Sequence, residues 1–290
     1  ANNNSYGLMN PDTKEWKVSK NNLDSLELNF RSVAHTKKDF FMLSIGSPAY
    51  MFKTTNYGMR LCYEEIHPKV FYDSMLFWND LEGIAVGDPT DHCMSIIITR
   101  NGGESWNKLS CDMLPETTFG EAAFAASNTN ISIVGNHTWI ATGGYQSRIF
   151  YSPDKGNSWN VYDTPMIEGT ETTGIYSIDF YNDSLGFAIG GDYTKPDDKS
   201  ANKMYTRDGG KTWNLTGVNK EPGYRSCVQY VPNGEGERLI AVGFKGIDYS
   251  IDGGQNWKHL SDESFYTLRF LNKNVAYAAG KGIIAMLTFK

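Results

Sequence analysis

The sequence has few of the features that mark membrane, nucleic-acid-binding or cofactor-dependent proteins. No apolar run approaches the ~20 residues of a membrane-spanning helix. The formal net charge is −6 and no long Lys/Arg cluster occurs, so a basic surface that follows phosphates is excluded. No Gly-x-Gly-x-x-Gly follows an apolar strand, and no flavin or haem motif is visible. The sequence therefore predicts no transmembrane segment, no nucleic-acid partner and no cofactor.

Cysteine is also scarce. The four cysteines form no Cys-x-x-Cys pair, which argues against a zinc site or a thioredoxin-like redox motif. Cys93 and Cys111 lie symmetrically about the turn that contains Asn101 to Gly103, so a hairpin there places them opposite each other. A disulfide between them stays open, because only some cross-strand pairings have suitable geometry.

The chain lacks an initiator methionine and begins with the polar stretch ANNNSYGLMN. Such a start is expected of an exported protein whose signal peptide has been removed, so we expect a periplasmic or cell-surface location. Residues 1–14 are expected to be a flexible lead into a single domain that spans residues 1–290.

One eight-residue pattern recurs along the chain. Its copies are TRNGGESW (99–106), SPDKGNSW (152–159), TRDGGKTW (206–213) and SIDGGQNW (250–257), with a decayed copy TTNYGMRL (54–61). Their last positions are 44 to 54 residues apart. Periods in this range are typical of propeller blades, each made of four short strands.

Two further elements repeat with the same period. Short apolar strands ended by glycine, such as GIAVG (83–87) and LIAVG (239–243), precede each copy, and a second series that includes RSVAHT (31–36) and EAAFAAS (121–127) opens each unit. Each series has six members, so the sequence predicts an all-β, six-bladed propeller. Seven blades are the less favoured alternative, since a seventh would need a whole unit that the sequence does not contain.

The last unit stops after its third strand, at GIIAMLTFK. The segment EWKVSK around Trp16 resembles a fourth strand without its first three. Pairing of the Trp16 strand with the C-terminal strand would close the ring and remove both exposed sheet edges.

The repeated pattern Ser/Thr-x-Asp-x-Gly-x-Ser/Thr-Trp resembles the Asp box, or bacterial neuraminidase repeat, of sialidases, sortilin-type receptors and photosystem II stability and assembly factors. Over nearly its whole length, through segments such as GSPAYMFKTTNYG, GEAAFAASNTN and GYRSCVQY, the chain is most similar to bacterial proteins that resemble the photosystem II assembly factors. Relatives of this kind are often labelled oxidoreductases or glycosyl hydrolases. The first label has no support in these residues.

The boxes themselves are interpreted as scaffold. Their hydroxyl and carboxylate groups can hydrogen-bond to turn amides, glycine permits positive φ, and tryptophan packs between sheets. We expect no metal there or at Asp88, Asp91 and His92, because each group offers too few ligands. The predicted structural residues are Thr99, Asn101, Gly103, Trp106, Ser152, Asp154, Gly156, Trp159, Thr206, Asp208, Gly210, Trp213, Ser250, Asp252, Gly254 and Trp257.

A binding site is predicted on the opposite face, where the longer loops fall and where each inner strand begins. Aligning the six strand starts gives one equivalent position around the channel mouth, occupied by Arg31, Asp73, Glu121, Tyr176, Arg225 and Tyr266. These side chains either form salt bridges with one another along a water-filled channel or form a polar pocket. In a pocket, Arg31 and Arg225 could hold a carboxylate or another anion bidentately.

The leading hypothesis is an exported, non-enzymatic propeller that binds a protein partner or a small anionic or carbohydrate ligand, and assists assembly of an envelope complex. The alternative is a glycoside hydrolase of the sialidase type, with Tyr266, Glu121 and Asp73 as catalytic residues. For that alternative, Arg31 lies in FRSV, which lacks the Ile-Pro of the sialidase motif, and Arg269 is a further arginine. A third possibility is a pure interaction scaffold, whose channel mouth is blocked by its own loops and which presents a flat apolar patch instead of a pocket.

Overall fold

A computed structural model describes residues 4–10, 13–20, 26–55 and 58–289. An N-terminal hairpin pairs β1 (Ser5–Met9) with β2 (Trp16–Lys20). Blade one comprises β3 (Phe30–His35), β4 (Phe40–Ser44), β5 (Ala49–Thr55) and β6 (Gly58–Glu65). Blade two comprises β7 (Tyr72–Phe77), β8 (Gly83–Gly87), β9 (Ser95–Thr99) and β10 (Asn107–Lys108).

The short strands β11 (Glu121–Ala122) and β14 (Gly143–Gly144) pair with each other beside the next blades. Blade three comprises β12 (Ile131–Val134), β13 (His137–Ala141), β15 (Arg148–Ser152) and β16 (Asn160–Asp163). Blade four comprises β17 (Thr173–Phe180), β18 (Gly186–Asp192), β19 (Lys203–Thr206) and β20 (Asn214–Leu215).

Blade five comprises β21 (Cys227–Tyr230), β22 (Leu239–Gly243), β23 (Gly246–Ser250) and β24 (Lys258–Ser261). Blade six comprises β25 (Thr267–Asn272), β26 (Val275–Gly280) and β27 (Ile283–Thr288). Consecutive strands pair antiparallel within every blade, so the predicted six-bladed, all-β propeller is confirmed. The helical element among the described residues is a single 3₁₀ turn, Cys111–Met113, which is far too short to cross a membrane.

Apolar residues of neighbouring blades pack face to face. Phe41 of blade one and Tyr72 of blade two share one core, and Trp139 of blade three stacks at 3.6 Å on Phe180 of blade four. Further cores join blades two and three, four and five, and five and six. In blades one to five the second strand is largely buried, so burial of its apolar side chains against neighbouring blades holds consecutive blades together.

The Asp boxes fasten each turn to the preceding blade. In the box of blade four, Thr206 Oγ1 accepts from the Gly210 amide (3.0 Å), Asp208 Oδ1 accepts from the Thr212 amide (2.9 Å), and Trp213 Nε1 donates to the Gly210 carbonyl (3.0 Å). Gly210 has φ +82°, and a Cβ there would lie 2.9 Å from Trp139 Nε1 of blade three. The box is therefore a structural clasp, as its pattern predicts.

The predicted pairing of the Trp16 strand with the C-terminal strand is wrong for the described residues. Strand β2 pairs with β1, and β27 pairs with β26 alone. A local hairpin closes a much shorter loop than a pairing between chain ends, and the partner strand Ser5–Met9 was not predicted. The hairpin still contacts blades one and six. Tyr6 packs against an apolar cluster of blade one that contains Met42 and Phe52, and Lys14 Nζ lies 3.5 Å from the Tyr277 hydroxyl of blade six.

The strand at Ser5–Met9 falls within residues 1–14, which were expected to be flexible. Residues 1–3 and 11–12 of that segment lie outside the described residues.

Candidate functional site

The aligned ring position coincides with a recurrent backbone irregularity. Strand pairing shifts between Phe30 and Ser32, between Tyr72 and Ser74, and between Ile175 and Ser177. The residues inside these β-bulges are Arg31, Asp73 and Tyr176, three members of the predicted ring. Because a bulge re-aims its side chain, equivalent backbone positions point to different surroundings in different blades.

Arg225 is committed to a buried ion pair. Its Nε lies 2.6 Å from Asp248 Oδ2, and both side chains are almost fully buried. The guanidinium also donates to the Tyr224 carbonyl at 2.7 Å. Arg225 is therefore not available to hold an anion at the channel mouth, and the predicted Arg31–Arg225 pair does not form a bidentate site.

Glu121 is likewise paired. Arg148 Nε donates to Glu121 Oε1 at 3.0 Å, and Thr142 Oγ1 donates to the same oxygen at 2.7 Å. Its predicted place at the start of the inner strand of blade three is wrong, because that strand is β12, ten residues further along. Glu121 lies instead in β11, which pairs with β14.

The intervening segment, residues 123–130, crosses the centre of the ring; we call it the central segment. The Asn128 side chain donates to the Val33 carbonyl of blade one (2.9 Å) and accepts from the Met75 amide of blade two (2.8 Å). Arg269 of blade six donates to the Asn128 carbonyl at 2.8 Å, and the Ile178 amide of blade four donates to the Thr129 carbonyl at 2.8 Å. The chain's own backbone thus blocks the channel, which is one of the two features that the scaffold hypothesis anticipated.

Asp73 is fully buried, and neither carboxylate oxygen has a described hydrogen-bond partner. Burial and the nearby Asp88 raise the Asp73 pKa well above its usual value. Burial also raises the pKa of Asp88 to about 6, although its Oδ1 accepts from the Ala123 amide at 2.8 Å. Asp73 is therefore enclosed in a site that favours its protonated form, and it does not face an open cleft.

Of the three remaining ring residues, Arg31 and Tyr266 meet at a cavity on the loop-rich face. This cavity, the aromatic pocket, has a volume of about 770 Å³ and lies where blades five, six and one converge. Its lining residues are Arg31, Ala126, Tyr193, Tyr224, Ser226, Phe244, Tyr266, Gly280, Lys281 and Gly282. Tyr176 lies behind the wall, stacked at 3.9 Å on Phe124 of the central segment and 4.8 Å from Tyr224.

The pocket combines an aromatic wall with positive charge. Tyr224 contacts Phe244 at 5.4 Å between ring centroids, while Arg31 and Lys281 are both exposed at the rim. None of its lining residues is acidic, so the local potential is positive. Burial raises the pKa of Tyr224, which keeps its hydroxyl protonated. Such a site suits a ligand with a carboxylate beside apolar or aromatic groups.

The sequence did not point to the other three wall residues, because they come from loops. Tyr193 lies in the β18–β19 loop, Phe244 in the β22–β23 turn, and Tyr224 just before β21. The long 190–203 insertion was the available signal, since it placed one wall residue on the predicted binding face.

Two other cavities carry weaker candidates. One of about 520 Å³ is lined by Asp88, Asp91, His92 and Glu121 among others, but Glu121 is already neutralised by Arg148. Another, of about 700 Å³, lies beside the Asp-box turn of blade five, on the face opposite the long loops. The latter also brings Arg207 and Lys220 near Tyr205 and Tyr230, but its lining includes the carboxylates of Glu235, Glu237 and Asp252, which offset the positive charge.

Cys93 and Cys111 form a disulfide, with a Cα–Cα distance of 5.5 Å. The hairpin of β9 and β10 places them opposite each other, as the symmetry of the sequence about its turn indicated. Asp91, His92 and Cys111 lie close together, but the Cys111 sulfur is held in the disulfide and offers no thiolate to a metal.

The residues proposed for sialidase-type catalysis are not brought together. Tyr266 lines the aromatic pocket, Glu121 lines the separate 520 Å³ cavity, and Asp73 is fully buried. The arginines are also dispersed, because Arg225 pairs with Asp248 and Arg269 binds carbonyls of the central segment. Within the described residues, no Tyr/Glu pair lies beside clustered arginines.

Comparison with known proteins supports the fold. The family model described as BNR/Asp-box repeat matches residues 204–215. The solved structure of YCF48 bound to a D1 peptide superposes with a TM-score of 0.66 at 14% identity, covering 96% of this chain and 83% of that chain. The structure of U3-55K gives a TM-score of 0.64 at 12% identity, covering 99% and 90%. No curated protein sequence matches the chain.

These matches confirm the Asp-box propeller and, for the fold, the predicted resemblance to photosystem II assembly factors, since YCF48 is one of them. In all, 848 solved chains match this fold, so the likeness alone does not select a function.

Proposed function

We propose that this protein binds an extended segment of a protein partner at the aromatic pocket and acts as a non-enzymatic assembly factor. The observation that carries the proposal is the pocket itself: two exposed cations, Arg31 and Lys281, beside a wall of Tyr193, Tyr224, Phe244 and Tyr266. Aromatic and arginine side chains dominate the binding energy of protein interfaces, and the cations select an acidic group.

The fold comparison supports a peptide-binding role. YCF48, whose fold this chain shares, is described as bound to a D1 peptide, so a propeller of this shape can present a peptide site. A central segment that blocks the channel also favours surface binding over passage of a ligand through the ring.

The proposal includes an exported location and a partner in an envelope complex. The Cys93–Cys111 disulfide supports export, because such bonds persist in oxidising compartments and are rare in reducing ones. Reaction of the protein, isolated from its native cells under thiol-blocking conditions, with a thiol reagent tests this. Two reactive thiols, from Cys62 and Cys227 after unfolding, support export, whereas four argue against it.

Recovery of partners from envelope extracts tests the binding role. We expect the unmodified protein to retain a partner that Arg31→Ala and Lys281→Ala fail to retain. Arg238→Ala is the matched control, because Arg238 is an exposed arginine in the loop between β21 and β22, away from the pocket. Equal recovery by all variants, or none by the unmodified protein, would contradict the proposal.

The glycoside hydrolase alternative is tested separately with chromogenic glycosides that include sialosides. We expect no turnover, since Tyr266, Glu121 and Asp73 occupy separate environments. Turnover that Glu121→Gln abolishes would favour the hydrolase.

A further inference from the structure

Among the described residues, no strand in blade six takes the place of the fourth strand that completes each other blade. In blades one to five, a fourth strand pairs with the outer edge of the third. In blade six the third strand, β27, pairs with β26, and no other described strand lies against its second edge. The third strands of the other blades are largely buried, whereas Ile284 and Met286 of β27 are each 53% exposed.

The alternation of hydrogen bonds along β27 shows which of its backbone groups point away from β26. The Phe289 amide donates to the Asn274 carbonyl at 2.8 Å, so alternate residues back from Phe289 face β26. Ile284, Met286 and Thr288 therefore direct their amide and carbonyl groups to the open edge. Residues 283–288 carry no charge, so the edge lacks the charged side chains that usually discourage pairing.

This edge runs directly out of the aromatic pocket. The turn Gly280–Gly282, which lines the pocket, leads into Ile283 at the start of β27. Every fourth strand in this protein is antiparallel to the third. A strand added to β27 in the same sense would run toward the pocket, so its carboxyl end would arrive beside Lys281 and Arg31.

We propose that the partner is recognised through its extended C-terminal tail, which adds to β27 as the fourth strand of blade six and places its terminal carboxylate in the aromatic pocket. The inference rests on the proposed function and specifies its mode of recognition. Six residues of β27 span about 20 Å, enough for main-chain pairing along a short tail. The chain's own β2 is paired with β1 and leaves the edge open.

A displayed library of random eight-residue C-terminal tails with free carboxylates supplies the probes. Selected tails are then synthesised as the free acid, as the C-terminal amide, and with N-methyl groups on one or the other set of alternate residues. We expect the acid to bind about tenfold or more tighter than the amide, which loses a charge-assisted contact. One N-methylated set should lose a similar factor, because its amides face β27, while the other set keeps its affinity.

Two variants test the protein side. Met286→Pro removes an amide that faces the open edge and leaves the hydrogen bonds to β26, so we expect binding to weaken by about tenfold or more. Met286→Ala keeps the amide and is the matched control. Thermal unfolding establishes that both variants fold. Peptides containing N-methyl groups test the same contact in the unmodified protein if Met286→Pro fails to fold.

The outcomes separate this inference from the proposed function. Tails that depend on Arg31 but bind equally with either N-methylated set overturn edge pairing and leave the pocket proposal standing. Equal affinity of acid and amide overturns the placement of the carboxylate. A dimer that forms through β27 and is broken by Met286→Pro would instead assign the edge to a second copy. Failure to select any tail contradicts this inference, whereas recovery of a partner from envelope extracts still decides the proposed function.

Discussion

Arg225 Nε and Asp248 Oδ2 lie 2.6 Å apart, and both side chains are almost fully buried. His259 Nδ1 lies 3.0 Å from the second oxygen of Asp248, so this carboxylate joins β23 and β24 to the residue that precedes the inner strand of blade five. The equivalent residue of blade one, Arg31, is exposed in the aromatic pocket. One position of the repeat thus serves the core in one blade and the candidate site in another.

Arg225→Ala should therefore destabilise the protein instead of acting on the pocket alone. Removing one partner leaves the Asp248 charge buried without its cation, which costs roughly 3–5 kcal/mol of unfolding free energy. Urea denaturation measures the loss. Arg31→Ala, at an exposed position, should change stability by no more than about 0.5 kcal/mol. Similar values for the two variants would contradict the assignment of Arg225 to the core.

Asp73 and Asp88 should make stability fall as pH rises. Burial raises their pKa values in the folded state above those of the unfolded chain, to about 6 for Asp88. The folded state then binds more protons, so the contribution to stability is complete below pH ~4 and is lost as pH rises through the folded pKa.

Asp73→Asn isolates this contribution, because His259 and Asp179 also have raised pKa values that remain in the variant. The unmodified protein should lose at least about 1 kcal/mol more unfolding free energy than Asp73→Asn between pH 5 and pH 7, since one pKa unit corresponds to about 1.4 kcal/mol. Urea titrations at the two pH values give this difference. Equal losses of unfolding free energy in the two proteins would show that folding does not raise the pKa of Asp73.

Adjacent glycines in the Asp box of blade five separate backbone strain from packing. Gly253 has φ +69°, and a Cβ there would meet no atom within 4 Å, whereas a Cβ on Gly254 (φ +84°) would lie 2.1 Å from the Phe187 ring of blade four. Gly253→Ala should lower the free energy of unfolding by about 1–3 kcal/mol through backbone strain alone. Gly254→Ala should lose clearly more, because Phe187 must move as well. Equal losses in thermal unfolding would mean that the box does not clasp the preceding blade.

Asn128→Ala should loosen the central segment. The change removes the bond to the Val33 carbonyl and leaves the buried Met75 amide unpaired, at about 1–3 kcal/mol. Hydrogen–deuterium exchange should show faster exchange in residues 123–130 and at Met75. Asn219→Ala is the matched control, since Asn219 also has positive φ (60°) but lies in a turn far from the centre. Unchanged exchange at Met75 would contradict the bridging role of Asn128.

Local patterns in this sequence predicted local structure well. The bonds of an Asp box, such as Ser250 Oγ to the Gly254 amide, join residues four positions apart, so the motif contains its own geometry. The repeat also identified equivalent bulge positions in three blades. It failed in blade three, where the stretch after Glu121 resembled an inner strand but crosses the channel.

The site depends on contacts that no local pattern contains. Asp248 and Arg225 are 23 residues apart, and Arg269 meets the Asn128 carbonyl 141 residues away. Side chains at equivalent positions of the repeat therefore contact different partners. Of the six ring residues, Arg31 and Tyr266 line the pocket. The aromatic wall comes from loops whose course depends on neighbouring blades.

A structure of the protein with a partner tail bound would show whether the aromatic pocket is the binding site. We expect the tail in the aromatic pocket, with an acidic group within hydrogen-bond distance of the Arg31 guanidinium and the Lys281 ammonium. A tail bound elsewhere, at the cavity beside the Asp-box turn of blade five or in the 520 Å³ cavity, would contradict it.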